Sequence, residues 1–183
     1  MARIPYLEKA DLAPEHHDLL ARDITLYKAL AHSPGAARAF HAMGRYIRFD
    51  SRLDPRLREL AILQVGWLAR SAYEFSHHVK IGRDFGVSDD DIRRMIMESG
   101  GGMSGLEPLA RLVLRAAREM TSDLEISDAT FAELRAHLDA ERLTDLVLTI
   151  AFYNAVVRYL GAMKIDVEPE YRQHLEEFPV PAA

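Results

Sequence analysis

Apolar positions along this chain recur at the three-and-four spacing of helices, and no stretch alternates with the two-residue period of a strand. Punctuation divides the pattern into segments. Pro14 opens PEHHDLLARDITLYKALA, which reads as one helix. Ser33 with Pro34 caps SPGAARAFHAMGRYI, and Asp54 with Pro55 caps DPRLRELAILQVGWLAR, each proline sitting where a missing N–H does no harm. Ser71 starts AYEFSHHVKIGRDF, and Gly86 is placed to end it in a left-handed C-cap. Ser88 begins SDDDIRRMIMES, with three acids at the positive end of the helix dipole and Gly100 as its stop. After a flexible-looking loop, GGMSGLEP, come LARLVLRAAREMTSD, SDATFAELRAHL and a long helix over roughly residues 140–164. The proline-broken tail DVEPEYRQHLEEFPVPAA is expected to lie along the surface, and no internal repeat is present. The pattern predicts one all-α domain, a multi-helix bundle spanning residues 1–183.

Two of these helices are apolar on nearly every side. In residues 55–70, Leu60, Ala61, Ile62, Leu63, Val65, Trp67 and Leu68 point in all directions; Leu146, Val147, Leu148, Ile150, Phe152, Val156 and Val157 do the same in the long helix. One such helix can be the axis of a small domain. Two predict that another subunit covers an apolar face, so a homo-oligomer is expected.

Composition narrows the picture. With 183 residues, 49% of them hydrophobic and 28% charged, the chain can bury a core without disulfides or a structural metal. It has no cysteine, which removes disulfides, thiolate metal sites and cysteine nucleophiles, and fits a reducing cytoplasm. MARIPYLEKADL has no apolar core of a signal peptide. Apolar runs such as LVLTIAFYNAVV fall short of the roughly 18–20 residues of a membrane span. A net charge of −5 with scattered arginines argues against nucleic acid. The expected partners are a small-molecule substrate and further copies of the chain, with no membrane.

Candidate chemistry lies on two consecutive helices. Glu59 is flanked by Ile62, Leu63 and Gly66 on the buried helix, where an ionised carboxylate must be paired or hydrogen-bonded. Wound at ~100° per residue, the next helix puts His78 within about 40° of Glu74, on the face that carries Ile81 and Phe85. His77 falls beside Lys80 and Asp84, so His78 is expected inward and His77 outward. An inward Glu–His pair can set the imidazole tautomer and raise its pKa, as general acid–base work requires. A structural explanation competes: Ser71-x-x-Glu74 has the form of a capping box, and an inward histidine is often an ordinary core residue. The choice turns on whether Glu59 shares the site. Glu74-x-x-His77 matches one element of di-iron bundles, but no second copy exists and His-Glu-x-x-His is absent, so no metal is expected.

The spacing Glu59, Ser71, Glu74, His78 within LDPRLRELAILQVGWLARSAYEFSHHVKIGRDFGVSDDDI resembles the carboxymuconolactone decarboxylase / alkylhydroperoxidase D-like family, in a cysteine-free form. The resemblance implies an AhpD-like helical bundle assembled as trimers or hexamers. It aligns Ser71 and Glu74 with the two cysteines of the peroxidase branch, and Glu59 and His78 with its glutamate and histidine. Peroxide reduction through a disulfide needs one thiolate to be oxidised and another to resolve it. Thiol peroxidase chemistry is therefore excluded, and a peroxidase label would describe the family only. The decarboxylase branch implies a cofactor-independent lyase acting on a small carboxylated lactone or cyclic acid. In that reading His78 is the general acid, Glu59 orients it, Glu74 tunes the pair, Ser71 and the helix-start amides bind an anion, and Arg70 clamps it. A scaffold oligomer without activity, and an isomerase or hydrolase using the same Glu–His pair, are the alternatives.

Overall fold

The computed structural model describes residues 1–181. Its helices are α1 (Thr25–Leu30), α2 (Pro34–Arg45), α3 (Pro55–Leu68), α4 (Ala72–Asp84), α5 (Asp89–Ser99), α6 (Pro108–Ser122), α7 (Asp128–His137), α8 (Ala140–Met163) and α9 (Arg172–Glu177). No strand occurs among the described residues. The all-α expectation holds, and most caps behave as their chemistry requires, although Ser33 makes no side-chain cap bond to α2. Asp54 accepts from the Leu57 amide at 3.0 Å behind Pro55. Ser88 and Asp91 form a reciprocal capping box on α5. Gly86 takes φ +92° after α4, a conformation a side chain would strain.

α3 is the axis. Leu60, Ala61, Ile62, Leu63 and Val65 are all buried, and α4, α6 and α8 pack around them. The chain reverses from α3 to α4 through Ala69, Arg70 and Ser71, with Arg70 in the left-handed region at φ 53°. Gly66 lets the two helices close: a Cβ there would stand 3.2 Å from the Phe75 amide nitrogen and 3.3 Å from its Cα. This close approach sets the distance across which α3 and α4 exchange side chains.

α8 corrects one sequence expectation. At 24 residues it is long and apolar enough, by length and composition, to cross a membrane. In this fold it is a core helix, with Leu146, Ile150, Tyr153 and Val157 buried. Its buried Asp145 accepts from the Tyr46 hydroxyl at 2.7 Å, Ser51 Oγ at 2.8 Å and the Arg52 amide at 2.9 Å. Its outer strip, Val147, Leu148 and Ala151, joins Phe131 of α7 along an apolar groove of 810 Å³.

Three further expectations are revised. PEHHDLLARDITLYKALA is not one helix: a 3₁₀ segment, Pro14–Leu20, is followed by extended Ile24 and only then by α1. The break exposes the Thr25 amide and hydroxyl, which donate to Glu168 at 2.7 and 2.9 Å. The tail is correspondingly not a surface strand, since Ile165, Glu168, Tyr171, His174 and Phe178 are buried and α9 packs on α4. Within GGMSGLEP, Ser104 bonds to Glu98 and Leu106 is buried.

The α3–α4 contact yields a stability prediction. Gly66→Val forces backbone apart and should cost about 1–3 kcal/mol, at roughly 2–4 °C of Tm per kcal/mol in a chain of this size. Gly35→Ala in α2, where the added carbon meets nothing within 4 Å, should leave Tm unchanged or raised. Thermal melts of the two variants check this.

Candidate active site

Glu59 leaves α3 toward α4 and meets His78. Its Oε2 lies 2.6 Å from His78 Nδ1, while His78 Nε2 lies 2.9 Å from Glu74 Oε1, one turn back on α4. The other oxygen of Glu59 accepts from Arg58 Nε at 3.0 Å; Arg58 Nη2 is equally near but outside hydrogen-bond geometry. Arg58 also donates from Nη1 to the Arg48 carbonyl at 3.0 Å, and its Cζ sits 4.5 Å from the centre of the Phe85 ring. All four charged groups are buried, with Arg58 and Glu59 at 1% exposure and Glu74 and His78 at 3%. Glu59 and His78 therefore share one site.

Counting charge decides the state of His78. Arg58, Glu59 and Glu74 sum to minus one, a costly net charge to bury; an imidazolium brings the sum to zero. Burial by itself would push the His78 pKa down, but Glu59 and Glu74 outweigh it and hold the pKa above the ordinary histidine value. Burial likewise would raise Glu59, yet His78 and Arg58 hold it below the usual carboxylate range. As an imidazolium His78 donates at both nitrogens, one to each glutamate.

The capping box forms only in part. Ser71 Oγ accepts from the Glu74 amide at 3.4 Å, so Ser71 is the cap. The Glu74 carboxylate goes to His78 instead of back to the cap, and the Ser71 amide is satisfied by the Gly66 carbonyl at 2.9 Å. Ser71 thus serves the cap, while the Glu74 carboxylate pairs with His78.

His78 and Glu74 line a cavity of 420 Å³ walled by α2, α4, α8 and the N-terminal segment, with Ile24, Phe40 and Phe152 on its apolar sides. Tyr153 of α8 lines it too, its ring edge-on to His78 at 5.0 Å between centroids. Burial, with Glu74 and Glu59 nearby, pushes the Tyr153 phenol up, so its proton stays on at neutral pH. Arg70 is exposed and Ser71 half-buried, and neither is on the cavity wall; the arginines that line it are Arg22, Arg45 and Arg48. Among the described residues no group of three or more His, Asp or Glu is arranged to hold a metal ion.

The outward placement of His77 is corrected as well. His77 is buried, 2.8 Å from Glu168 and stacked between Tyr73 and Tyr171 at centroid distances of 4.2 and 3.6 Å. The tail and α1 cover the face that looked polar on the helical wheel. Arg58 and Tyr153 escaped sequence reasoning, and Arg48 was one of four arginines, with Arg45, Arg70 and Arg83, among which the sequence could not choose. Arg58 alone had a local signal, being a charged neighbour of Glu59 on a helix apolar all round.

Comparison with known proteins now has a site to refer to. Residues 34–119 match the model of the carboxymuconolactone decarboxylase family, and this segment holds Arg48, Arg58, Glu59, Ser71, Glu74 and His78. Over these residues, a little under half of its length, the chain is similar to that family. No curated protein matches it. Several solved structures share its fold. An alkylhydroperoxidase AhpD core protein from Ralstonia eutropha, described as uncharacterized and peroxidase-related, superposes with TM-score 0.79 at 22% identity, covering 93% of this chain and 94% of that one. An uncharacterized peroxidase-related protein from Silicibacter sp. gives 0.75 at 22%, over 90% and 91%. The debrominase Bmp8, solved with 2,3,4-tribromopyrrole, gives 0.80 at 18%, over 97% and 99%. The AhpD-like architecture is thus present here in a chain that has no cysteine.

The buried quartet predicts a pH signature. The raised His78 pKa stabilises the fold fully below the free value of 6.5, and this is lost as pH rises through the folded value. The lowered Glu59 pKa stabilises above 4.5, and this is lost as pH falls through its folded value. Glu59→Gln leaves Arg58 a buried cation without a charge partner and should cost about 3–5 kcal/mol. Calorimetric melts across pH should show the wild-type advantage over Glu59→Gln greatest between those two free values and shrinking on either side.

Proposed function

We propose that this protein is a cofactor-independent acid–base enzyme of lyase type, acting on a small carboxylated lactone or similar cyclic acid. The observation that carries the reading is the Glu59–His78–Glu74 relay ending at a half-open cavity. Both nitrogens of His78 are committed to carboxylates, so the role of general acid moves from His78 to Glu74. His78 is the proton reservoir behind it, and Glu59 with Arg58 fixes the reservoir in place.

Chemically, the bond between ring carbon and departing carboxylate breaks and CO₂ leaves. Its electron pair moves into a conjugated carbonyl as an enolate. His78 passes its Nε2 proton to Glu74, and Glu74 delivers a proton to carbon. The neutral imidazole then regains a proton from water. Such a relay feeds each proton that Glu74 delivers from the His78 imidazolium behind it.

Three further features support the reading. The family segment contains every member of the relay. A structure of the same fold holds a small substituted ring, 2,3,4-tribromopyrrole. The cavity volume lies in the range of small-molecule sites. The expected homo-oligomer, a trimer or hexamer by resemblance, remains part of the proposal, with the α7–α8 groove as its apolar contact face.

Decarboxylation of 4-carboxymuconolactone, followed by loss of ring absorbance, tests it. Glu74→Gln preserves the hydrogen bond to His78 while removing the transferable proton. It should lower kcat by roughly 10²-fold or more and also lower Tm, since it leaves the buried quartet with a net positive charge. Turnover near wild type in that variant would remove Glu74 from the mechanism. No turnover of carboxylated lactones by the wild type would overturn the lyase reading.

A further inference from the structure

Cavity charge is unevenly distributed. The two carboxylates on its wall are both engaged, Asp18 by Arg38 at 2.6 Å and Glu74 by His78. Of the three arginines, Arg45 faces Asp50 at 3.7 Å and Arg22 lies over the Tyr27 ring, 5.9 Å from its centre. Arg48 lies likewise over the Phe49 ring, at 6.0 Å, and both Arg22 and Arg48 are half-buried with no carboxylate partner among the described residues; of the two, Arg48 is the one whose backbone is bonded to the relay, through Arg58. A guanidinium taken partly out of water without a counter-charge is costly unless an anion joins it.

Its placement is also built. Arg48 sits in a π turn, Tyr46–Asp50, that follows α2 directly. Single π turns are uncommon and concentrate at functional sites. Three contacts hold this one: the Arg48 carbonyl accepts from Arg58 at 3.0 Å, Tyr46 reaches Asp145 at 2.7 Å, and Ile47 is buried in the core. Arg58 therefore grips Glu59 with one edge of its guanidinium and the backbone of Arg48 with another. The acid–base relay and the Arg48 side chain are registered to each other through a single residue.

Tyr153 completes the arrangement. It is 5% exposed and lines the cavity together with His78, Glu74 and Arg48. A protonated phenol next to a guanidinium donates to an oxygen that carries or gains negative charge.

We propose that Arg48 and Tyr153 form the anion end of the cavity, Arg48 holding a carboxylate that stays on the substrate and Tyr153 donating to the oxygen on which enolate charge builds. The ligand class is then a compact ring bearing a carboxylate, its reacting carbon toward Glu74 and its apolar edge against Phe40 and Phe152. This role replaces the one expected of Arg70. The Tyr153 step rests on the lyase reading; the Arg48 anion site stands without it.

Titration calorimetry with 2-furoate, and with 2-furamide as its uncharged counterpart, separates the two. Wild type should bind furoate and discriminate against the amide by roughly tenfold or more. Arg48→Gln keeps the backbone carbonyl that Arg58 grips, so it should fold with an unchanged Tm and lose that discrimination. Tyr153→Phe should retain most furoate affinity while lowering kcat on a turned-over lactone with KM little changed. Equal binding of amide and acid by the wild type, no furoate binding at tens of millimolar, or full affinity in Arg48→Gln with loss in Arg22→Gln would overturn the Arg48 assignment. An unchanged kcat in Tyr153→Phe would overturn that of Tyr153. Arg48-dependent furoate binding without lactone turnover would sink the lyase reading and leave the anion site standing.

Discussion

Glu59 and His78 stand 2.6 Å apart in a place where neither charge would survive alone. Desolvating a single carboxylate or imidazolium costs several kcal/mol even after relaxation. The fold meets this cost by assembling two cations and two anions in alternation, Arg58, Glu59, His78 and Glu74, so that no net charge is buried. The arrangement works only if α3 and α4 approach closely enough for their side chains to meet. Gly66 against Phe75 provides that approach, and the left-handed turn at Arg70 aims α4 back along α3. The protein's most apolar helix thus carries its most polar contact. Replacing the four groups with hydrocarbon would offer comparable stability, which is why their retention beside a cavity reads as chemistry.

The same quartet reaches outward in both directions. At one end Glu74 opens on the cavity; at the other Arg58 holds the turn that presents Arg48. A second His–carboxylate pair, His77 with Glu168, has a different task. Glu168 also accepts from the Thr25 amide and hydroxyl and lies 3.2 Å from the Tyr73 hydroxyl, so it ties the tail and the N-terminal segment to α4. Its carboxyl is held down to about 2, chiefly by His77 and the Thr25 amide against the opposing effect of burial. Adjacent histidines on one helix therefore divide the labour: His78 serves the cavity, and His77 fastens the segment that helps to wall it.

Much of this was legible in the chain. Helix periodicity located α3 through α8, and proline, serine and glycine marked most of their ends. The three residues of the relay could be chosen because a carboxylate on an all-apolar helix demands a partner, and because Glu74 and His78 share a face. What stayed hidden were contacts between segments far apart in sequence. His77 looked exposed because the residues covering it, Tyr171 and Glu168, lie more than ninety positions away. The first helix was drawn too long because Thr25 is capped by Glu168, 143 residues downstream. Arg70 was preferred for its position at a helix junction, but that junction faces solvent; nothing local marks the π turn that presents Arg48, so the sequence could not rank it above Arg45 or Arg83. The Ser71-x-x-Glu74 pattern was ambiguous for a physical reason, since a glutamate at that position can serve either the cap or the histidine, and only the second choice was taken.

The protonation state of His78 is the point on which these relations converge. Nitrogen-15 spectra of the selectively labelled imidazole at neutral pH report it directly. Both ring nitrogens should carry a proton, and the imidazolium signal should persist to pH values well above that of a free histidine. A neutral ring at pH 7, with one nitrogen bare, would contradict the charge-balanced quartet and with it the proton reservoir.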